Sequence, residues 1–164
     1  MEAIRFIVDH NAGKLAKWLR MMGYDTLFFN GSDDSRMIAT ALAEGRVILT
    51  RDTGIVKRRL VTSGELKAVL LISDEPIVQM QQVISALDLD VCFHPFSICL
   101  ECNHTLVKRK REDVKERVPP YVFKTQNKYM ECPTCQRIYW RGTHWWAMKS
   151  KLASFSGKEQ EEVC

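Results

Sequence analysis

Apolar and polar positions follow two different periods along the first 95 residues. Ile4–Val8 (IRFIV) is a short, branched, apolar run and predicts a strand. From Gly13 to Met22 the period lengthens. Leu15, Trp18, Leu19 and Met22 recur at i, i+3, i+4 and i+7, with Lys14, Lys17 and Arg20 on the other faces, and Gly23 closes the predicted helix. Thr26–Phe29 (TLFF) is a second strand ended by Asn30-Gly31. Ser35–Glu44 is a second helix with Met37, Ile38, Ala41 and Leu42 inward and Gly45 at its end. Arg46–Thr50 (RVILT) and Ala68–Ile72 (AVLLI) are the third and fourth strands, separated by a short helical segment over Ile55–Leu60. Pro76 opens a last helix whose stripe runs through Ile77, Met80, Ile84 and Leu87. Strands separated by helices of about ten residues imply parallel neighbours with right-handed crossovers, and apolar strands of this kind are covered on both faces. The expected fold is α/β: a small three-layer α/β/α unit with a parallel sheet over residues 1–95.

The pattern changes near His94-Pro95. Cysteine pairs, the basic run Lys108-Arg109-Lys110-Arg111 and a Pro119-Pro120 break replace the helix period. This has the look of a small metal-stapled module over residues 96–150, with a hairpin strand at Lys128–Glu131. Residues 151–164 read as a polar, disordered tail, most clearly from Phe155 onward.

Within that module Cys99-Leu-Glu-Cys102 and Cys132-Pro-Thr-Cys135 are two C-x2-C knuckles separated by 29 residues. Two thiolates at this spacing grip one ion from a tight turn, and the second knuckle completes a tetrahedron. Four sulfur ligands leave no open position, so the expected Zn2+ is structural. Small zinc peptides gain about 10–16 kcal/mol of apparent folding energy in this way. Cys92 reads as a small apolar core residue and Cys164 as part of the tail.

Composition and charge narrow the class. The chain of 164 residues is 46% hydrophobic and 27% charged, as in a globular protein. No apolar run approaches the length of a membrane span, and MEAIRFIVDH lacks the marks of a signal peptide, so the expected location is cytoplasmic, with reduced thiols and no membrane partner. The net charge of +4 is uneven. Residues 1–97 hold 11 Lys/Arg against 12 Asp/Glu, while residues 98–164 hold 13 against 8. A basic module beside a unit rich in acids suits a polyanion partner, although a solvated surface gives the same numbers.

The acids fall at strand ends. Asp9 follows the first strand, Asp52 the third and Asp74 the fourth, and Asp33 and Asp34 open the second helix. In a parallel sheet all of these come to one edge, where open α/β sheets place ligands. Converging carboxylates repel one another unless a cation lies between them, and an all-oxygen site suits Mg2+ or Mn2+. Such ions serve phosphodiester hydrolysis. Helix capping is the structural alternative for Asp33, Asp34 and Asp74, and a turn role for Asp52.

These residues resemble a known family. Phe6-Ile-Val-Asp9, Gly13-Lys-Leu-Ala-Lys-Trp-Leu-Arg20, Gly23-Tyr-Asp, Asp34 and Gly45-Arg-Val-Ile-Leu-Thr-Arg-Asp52 are similar to the Mut-seven C-terminal RNase family of PIN-like domains. Cys132-Pro-Thr-Cys135 and Tyr139-Trp-Arg-Gly-Thr-His144-Trp145 resemble its attached zinc ribbon. The likeness spans residues 4 to about 148. It implies a PIN-like fold and a metal-dependent ribonuclease with active-site roles on Asp9, Asp34 and Asp52. Asp34 matches the family spacing better than Asp33, and Asp74 matches loosely. Gln136 stands where the ribbon often has Gly, and Thr143 where Ser is usual.

The basic and aromatic side chains complete the expectation. Lys14, Lys17, Arg20 and Arg51 lie near the acids, and Lys108, Arg109, Arg141 and His144 in the ribbon; all are candidates for RNA contact. A solvated helix face, or a pair with an acid for Arg51, competes with that role. Trp140, Trp145 and Trp146 beside Arg141 and His144 suit either base stacking or packing of the ribbon on the α/β unit. The reading is a ribonuclease using Mg2+ or Mn2+, with a ribbon that aids RNA binding; a non-catalytic RNA- or DNA-binding module is the alternative.

Overall fold

Branched residues at alternate positions let each central strand serve two cores. The computed structural model describes residues 2–156. Strands β1 (Arg5–Asp9), β2 (Thr26–Phe29), β3 (Arg46–Thr50) and β4 (Ala68–Leu70) form, among the described residues, a four-stranded parallel sheet in the order β2-β1-β3-β4. Phe6, Val8, Val47 and Leu49 point to one face, and Ile7 and Ile48 to the other. Helices α1 (Gly13–Met21), α5 (Pro76–Leu87) and α7 (Thr143–Ser156) cover the first face, and α2 (Asp34–Glu44) and α3 (Thr53–Val56) the second. The expected α/β/α layering is therefore present, with α7 added to it.

Local chemistry sets the boundaries. The predicted helix over Ile55–Leu60 is instead two turns, α3 and α4 (Arg59–Thr62), because extended Arg58 interrupts it. Leu42 and Ile77, predicted inward, are exposed, while Val83 and Gln79 are buried on α5. Gly45 ends α2 in the left-handed region at φ 64°. Gly23 has φ 94°, and a Cβ there would meet the His94 carbonyl oxygen at 2.3 Å. Only glycine allows that approach. It lets the linker run against the end of α1, where His94 N–H donates to Met22 O and Phe96 N–H to Met21 O.

Beyond the linker, β5 (Val107–Arg109), β6 (Tyr129–Glu131) and β7 (Ile138–Tyr139) pair antiparallel in the order β5-β6-β7. A turn over Pro120–Thr125, α6, packs Val122 with Val114, Val118 and Tyr129 in a small core of its own. Cys92 lies partly buried against the main core.

The polar tail expected from residue 151 is corrected by α7, which continues to Ser156. Leu152, Ala153 and Phe155 are buried in the main core, and Phe155 lies 5.0 Å from Trp18, ring to ring. The sequence hid this because the apolar positions follow a run of aromatic and basic residues with almost no amphipathic period. Cys164 and the rest of residues 157–164 lie outside the described residues. No helix among the described residues is long and apolar enough to cross a membrane.

Burial of α7 has a measurable consequence. Leu152→Ala removes a fully buried side chain and is expected to cost about 2–5 kcal/mol in urea unfolding. A loose tail would show no change.

Candidate active edge and metal centre

Two sites arise from the architecture. The first is the carboxyl edge of the parallel sheet. The chain passes from β1 out to β2 and then back across to β3, so strand order reverses between β1 and β3. Such a switch point leaves a crevice at the strand ends. Asp9, the last residue of β1, is 5% exposed and sits at that point. Its Oδ1 accepts from His10 N–H at 2.6 Å and lies 2.7 Å from His10 Nδ1. Its Oδ2 accepts from Thr50 Oγ1 at 2.9 Å.

Thr50 is the residue the sequence reading missed. It is fully buried and joins two acids, since its hydroxyl donates to Asp9 and accepts the Asp52 N–H at 2.9 Å. The signal was available in Thr50-Arg-Asp52, because a threonine hydroxyl commonly captures the N–H two residues on. Asp52 is exposed and caps α3, its Oδ1 accepting from Gly54 N–H at 2.7 Å. Asp33 caps α2 by accepting from Arg36 N–H at 3.2 Å, which leaves Asp34, in the first helical turn, without that duty. Asp74 does not cap α5. That position belongs to Glu75, which makes no side-chain cap bond, and Asp74 is exposed beyond β4.

Thr50 thus links Asp9 to the backbone of Asp52, while Asp34 opens α2 after β2 and Asp74 lies beyond β4. These acids are not drawn into one tight group. Among the described residues the group gathered to hold a metal is the cysteine quartet alone. Each Asp9 oxygen has two lone pairs, so the hydrogen bonds on it do not exhaust its capacity as a ligand. Carboxylate oxygen is the donor type that hard divalent ions take.

The second site is that quartet. The four Sγ atoms lie within 4.8 Å of one another, and those of Cys99 and Cys135 are 3.7 Å apart. Sulfurs about 2.3 Å from one tetrahedral ion sit about 3.8 Å from each other. The cage therefore fits Zn2+. The two knuckles have the same turn. Asn103 N–H donates to Cys99 O and Gln136 N–H to Cys132 O, with Asn103 and Gln136 both at φ 63°. Gln136 thus takes the left-handed conformation a glycine would adopt freely, and the knuckle keeps its bonds.

Electrostatics bear on the cage. The hydrogen bond with Cys135, aided by burial, pushes the Cys102 thiol up to about 12. Burial raises Cys135 as well, but the Arg137 backbone N–H and the neighbouring thiols bring it down to about 7. The thiols thus share protons unevenly, and a dication is what allows all four to ionise together. Burial and the Cys99 sulfur 3.2 Å away raise the Tyr139 hydroxyl, which stays neutral.

The predicted basic contacts divide. Arg20 is corrected: it is 6% exposed, Nε donating to Thr26 O at 2.9 Å and Nη1 to Leu100 O at 2.7 Å, so it holds strand to ribbon and faces no solvent. It falls on the inner side of α1 because Leu100 docks there. Arg109 is exposed and engaged with Glu131, a buried acid that Arg117 holds from its other side. The Arg117 and Arg109 guanidinium groups keep the Glu131 carboxyl below its ordinary range. Lys17 pairs with Glu101 at 2.8 Å. Lys14, Arg51, Lys108, Arg141 and His144 are exposed. Trp145 packs on Phe96 with ring centres 4.9 Å apart, Trp140 packs on the Val122–Tyr129 core, and Trp146 is 56% exposed.

A family model described as Mut7-C RNAse domain matches residues 4–152. No curated protein and no solved structure matches the chain.

The cage generates a separable prediction. Stripping its metal with a strong chelator is expected to abolish the near-ultraviolet signal of the ribbon aromatics, and re-adding Zn2+ to restore it. An unchanged spectrum in metal-free protein would show that the ribbon folds without the ion.

Proposed function

Since the chain belongs to the Mut7-C RNAse domain family, we propose that it is a metal-dependent ribonuclease that hydrolyses RNA phosphodiester bonds at the carboxyl edge of its sheet. The observation that carries this reading is the Thr50 bridge between Asp9 and Asp52 at the strand-order switch point. In this proposal the chain divides near residue 95 into a nuclease unit and a ribbon held by Zn2+.

Asp9, Asp34 and Asp52 would hold Mg2+ or Mn2+. Held by these carboxylates, such an ion would supply an acidified water and charge stabilisation for the leaving oxygen. The protein's part is orientation. His10 N–H and Thr50 fix both oxygens of the Asp9 carboxylate, so the buried group cannot rotate away. The Gly54 N–H fixes one oxygen of Asp52 and leaves the other without a protein partner in the cap. Lys14, in the first turn of α1 after Asp9, supplies positive charge for a phosphate at that edge. Arg51 does the same beside Asp52.

The test compares wild-type protein, kept zinc-loaded, with Asp52→Asn and Asp9→Asn/Asp52→Asn on labelled RNA with Mg2+ or Mn2+ and under mild chelation. Asparagine caps a helix as well as aspartate, so Asp52→Asn preserves α3. Cleavage is expected to need the divalent ion and to fall by about a hundredfold or more in the variants, the scale of losing a group that stabilises transition-state charge. Equal RNA binding without cleavage in every protein would instead establish a non-catalytic binding module.

Thr50→Val tests the bridge with almost no change of shape. It leaves a buried carboxylate oxygen and the Asp52 N–H without their partner, at a cost of about 1–3 kcal/mol in thermal or urea unfolding. Cleavage is expected to fall with KM for RNA unchanged, and Thr50→Ser to restore it. Loss of stability with full cleavage would reduce the bridge to a structural role.

A further inference from the structure

Away from the acids, an opening lies between the ribbon and α7. It is a cleft of about 450 Å³ walled by Ile98, Leu106, Tyr139 and Trp140 on the ribbon side and by Trp145 and Met148 on α7. Tyr121 and His144 stand exposed at its mouth, Tyr121 at 69%. The walls are aromatic and apolar, yet the surroundings are cationic. Arg141 Cζ lies 5.0 Å from the centre of the Trp145 ring, and Lys149 Nζ lies 5.6 Å from the same ring and 5.3 Å from that of Trp146. Arg137 also lines the cleft, beside its one acid, Glu101, 4.0 Å away.

A second opening of about 420 Å³ adjoins it. Lys14 and Lys17 of α1, Glu75 and Pro76 at the start of α5, and Lys151 of α7 line it. The two are linked by contacts. Lys17 lines the second opening and bonds to Glu101, which lines the first. One face of α7 serves both, with Trp145 and Met148 in the cleft and Lys151, one and two turns further on, in the basic opening. Lys14, which lines that opening, is the second residue of α1, separated from Asp9 by the turn His10–Ala12 and Gly13.

We propose that the ribbon cleft seats an unpaired base of single-stranded RNA, and that the strand runs from there over Lys151, Lys17 and Lys14 to the acid edge. The proposal rests on the ribonuclease reading only for the direction of the strand; the base site stands on the cleft itself. Aromatic walls give every base a surface to stack on, and flanking cations hold the backbone. An apolar peptide would fill the walls but would give no counter-charge to Arg141 and Lys149 beside the tryptophan rings. Residues 98–164 carry 13 Lys/Arg against 8 Asp/Glu, in keeping with a polyanion. Because unstacked bases are needed, duplex RNA is a poor fit.

The experiment uses the full, zinc-loaded chain carrying Asp52→Asn, with an unstructured RNA containing 4-thiouridine, in Mg2+. Near-ultraviolet irradiation and mass spectrometry locate the crosslinks. They are expected on Tyr121 or on the segment from Trp140 to Trp145. Tyr121→Ala/His144→Ala replaces two exposed residues and is expected to weaken binding of the same RNA about five- to a hundredfold, the range of base–aromatic stacking, with zinc content unchanged. Lys151→Glu is expected to weaken binding and flatten its salt dependence. Crosslinks confined to other surfaces, or an unchanged affinity in the double variant, would overturn the proposal. The wild-type cleavage assay is read separately. Crosslinks in the cleft without any cleavage uphold the base site and sink the nuclease reading, whereas cleavage with crosslinks elsewhere does the reverse.

Discussion

The relation between sheet and ribbon hangs on a polar seam around Asn103, the residue just after the first cysteine knuckle. Its Oδ1 accepts from Thr26 N–H at 2.8 Å and its Nδ2 donates to Asp25 Oδ1 at 2.6 Å. Asp25 is bound in turn by Arg46 at the start of β3, and Arg20 reaches from α1 to the knuckle through Leu100 O. Burial raises the Asp25 carboxyl, but Arg46 and Asn103 outweigh it and hold the group below its ordinary range. A ribbon with so small a core cannot choose its own orientation. Fully paired hydrogen bonds at the seam do so, because any other docking would leave buried donors and acceptors unmet. The same left-handed backbone at Asn103 that closes the knuckle aims its side chain at the sheet.

Once the seam is set, α7 follows. The chain leaves β7 on the ribbon and returns to the α1–α5 face, where Leu152 and Phe155 complete the main core. One helix therefore borders the ribbon cleft with its first half and supports the sheet with its second. Lys151 of the same helix lines the basic opening together with Lys14 and Lys17 of α1.

At the acid edge, structure and chemistry use the same atoms. Asp33 and Asp52 are helix caps, and Asp9 anchors the turn before α1. A cap needs only one carboxylate oxygen, so a capping acid keeps ligand capacity in the other. The distinction between structural and functional acids therefore depends on which neighbours hold each oxygen. At Asp9 those neighbours are His10 N–H and Thr50, and at Asp52 it is the Gly54 N–H, while Thr50 holds the Asp52 backbone N–H.

The sequence alone determined the layered α/β unit, the acid-bearing edge and the cysteine quartet, because each is written in local spacing. Branched runs, helical stripes and glycine stops mark the elements, and C-x2-C pairs need no tertiary information to be read as a cage. Family resemblance also pointed to Asp34 over Asp33, and the cap on Asp33 accounts for one of that pair in structural terms. What only the tertiary structure decided are the pairings across distant segments. Arg20 looked like one more lysine-like residue on a basic face, yet Leu100 from the ribbon buries it. Arg109 belonged to a basic run, yet Glu131 across the hairpin claims it. The helix through Leu152 and Phe155 read as tail because its apolar residues lack a helical period and become interior only against α1 and α5. Burial and hydrogen-bond partnership are properties of the assembled chain, and residues tens of positions apart must meet before a charge becomes a clamp or an aromatic becomes core.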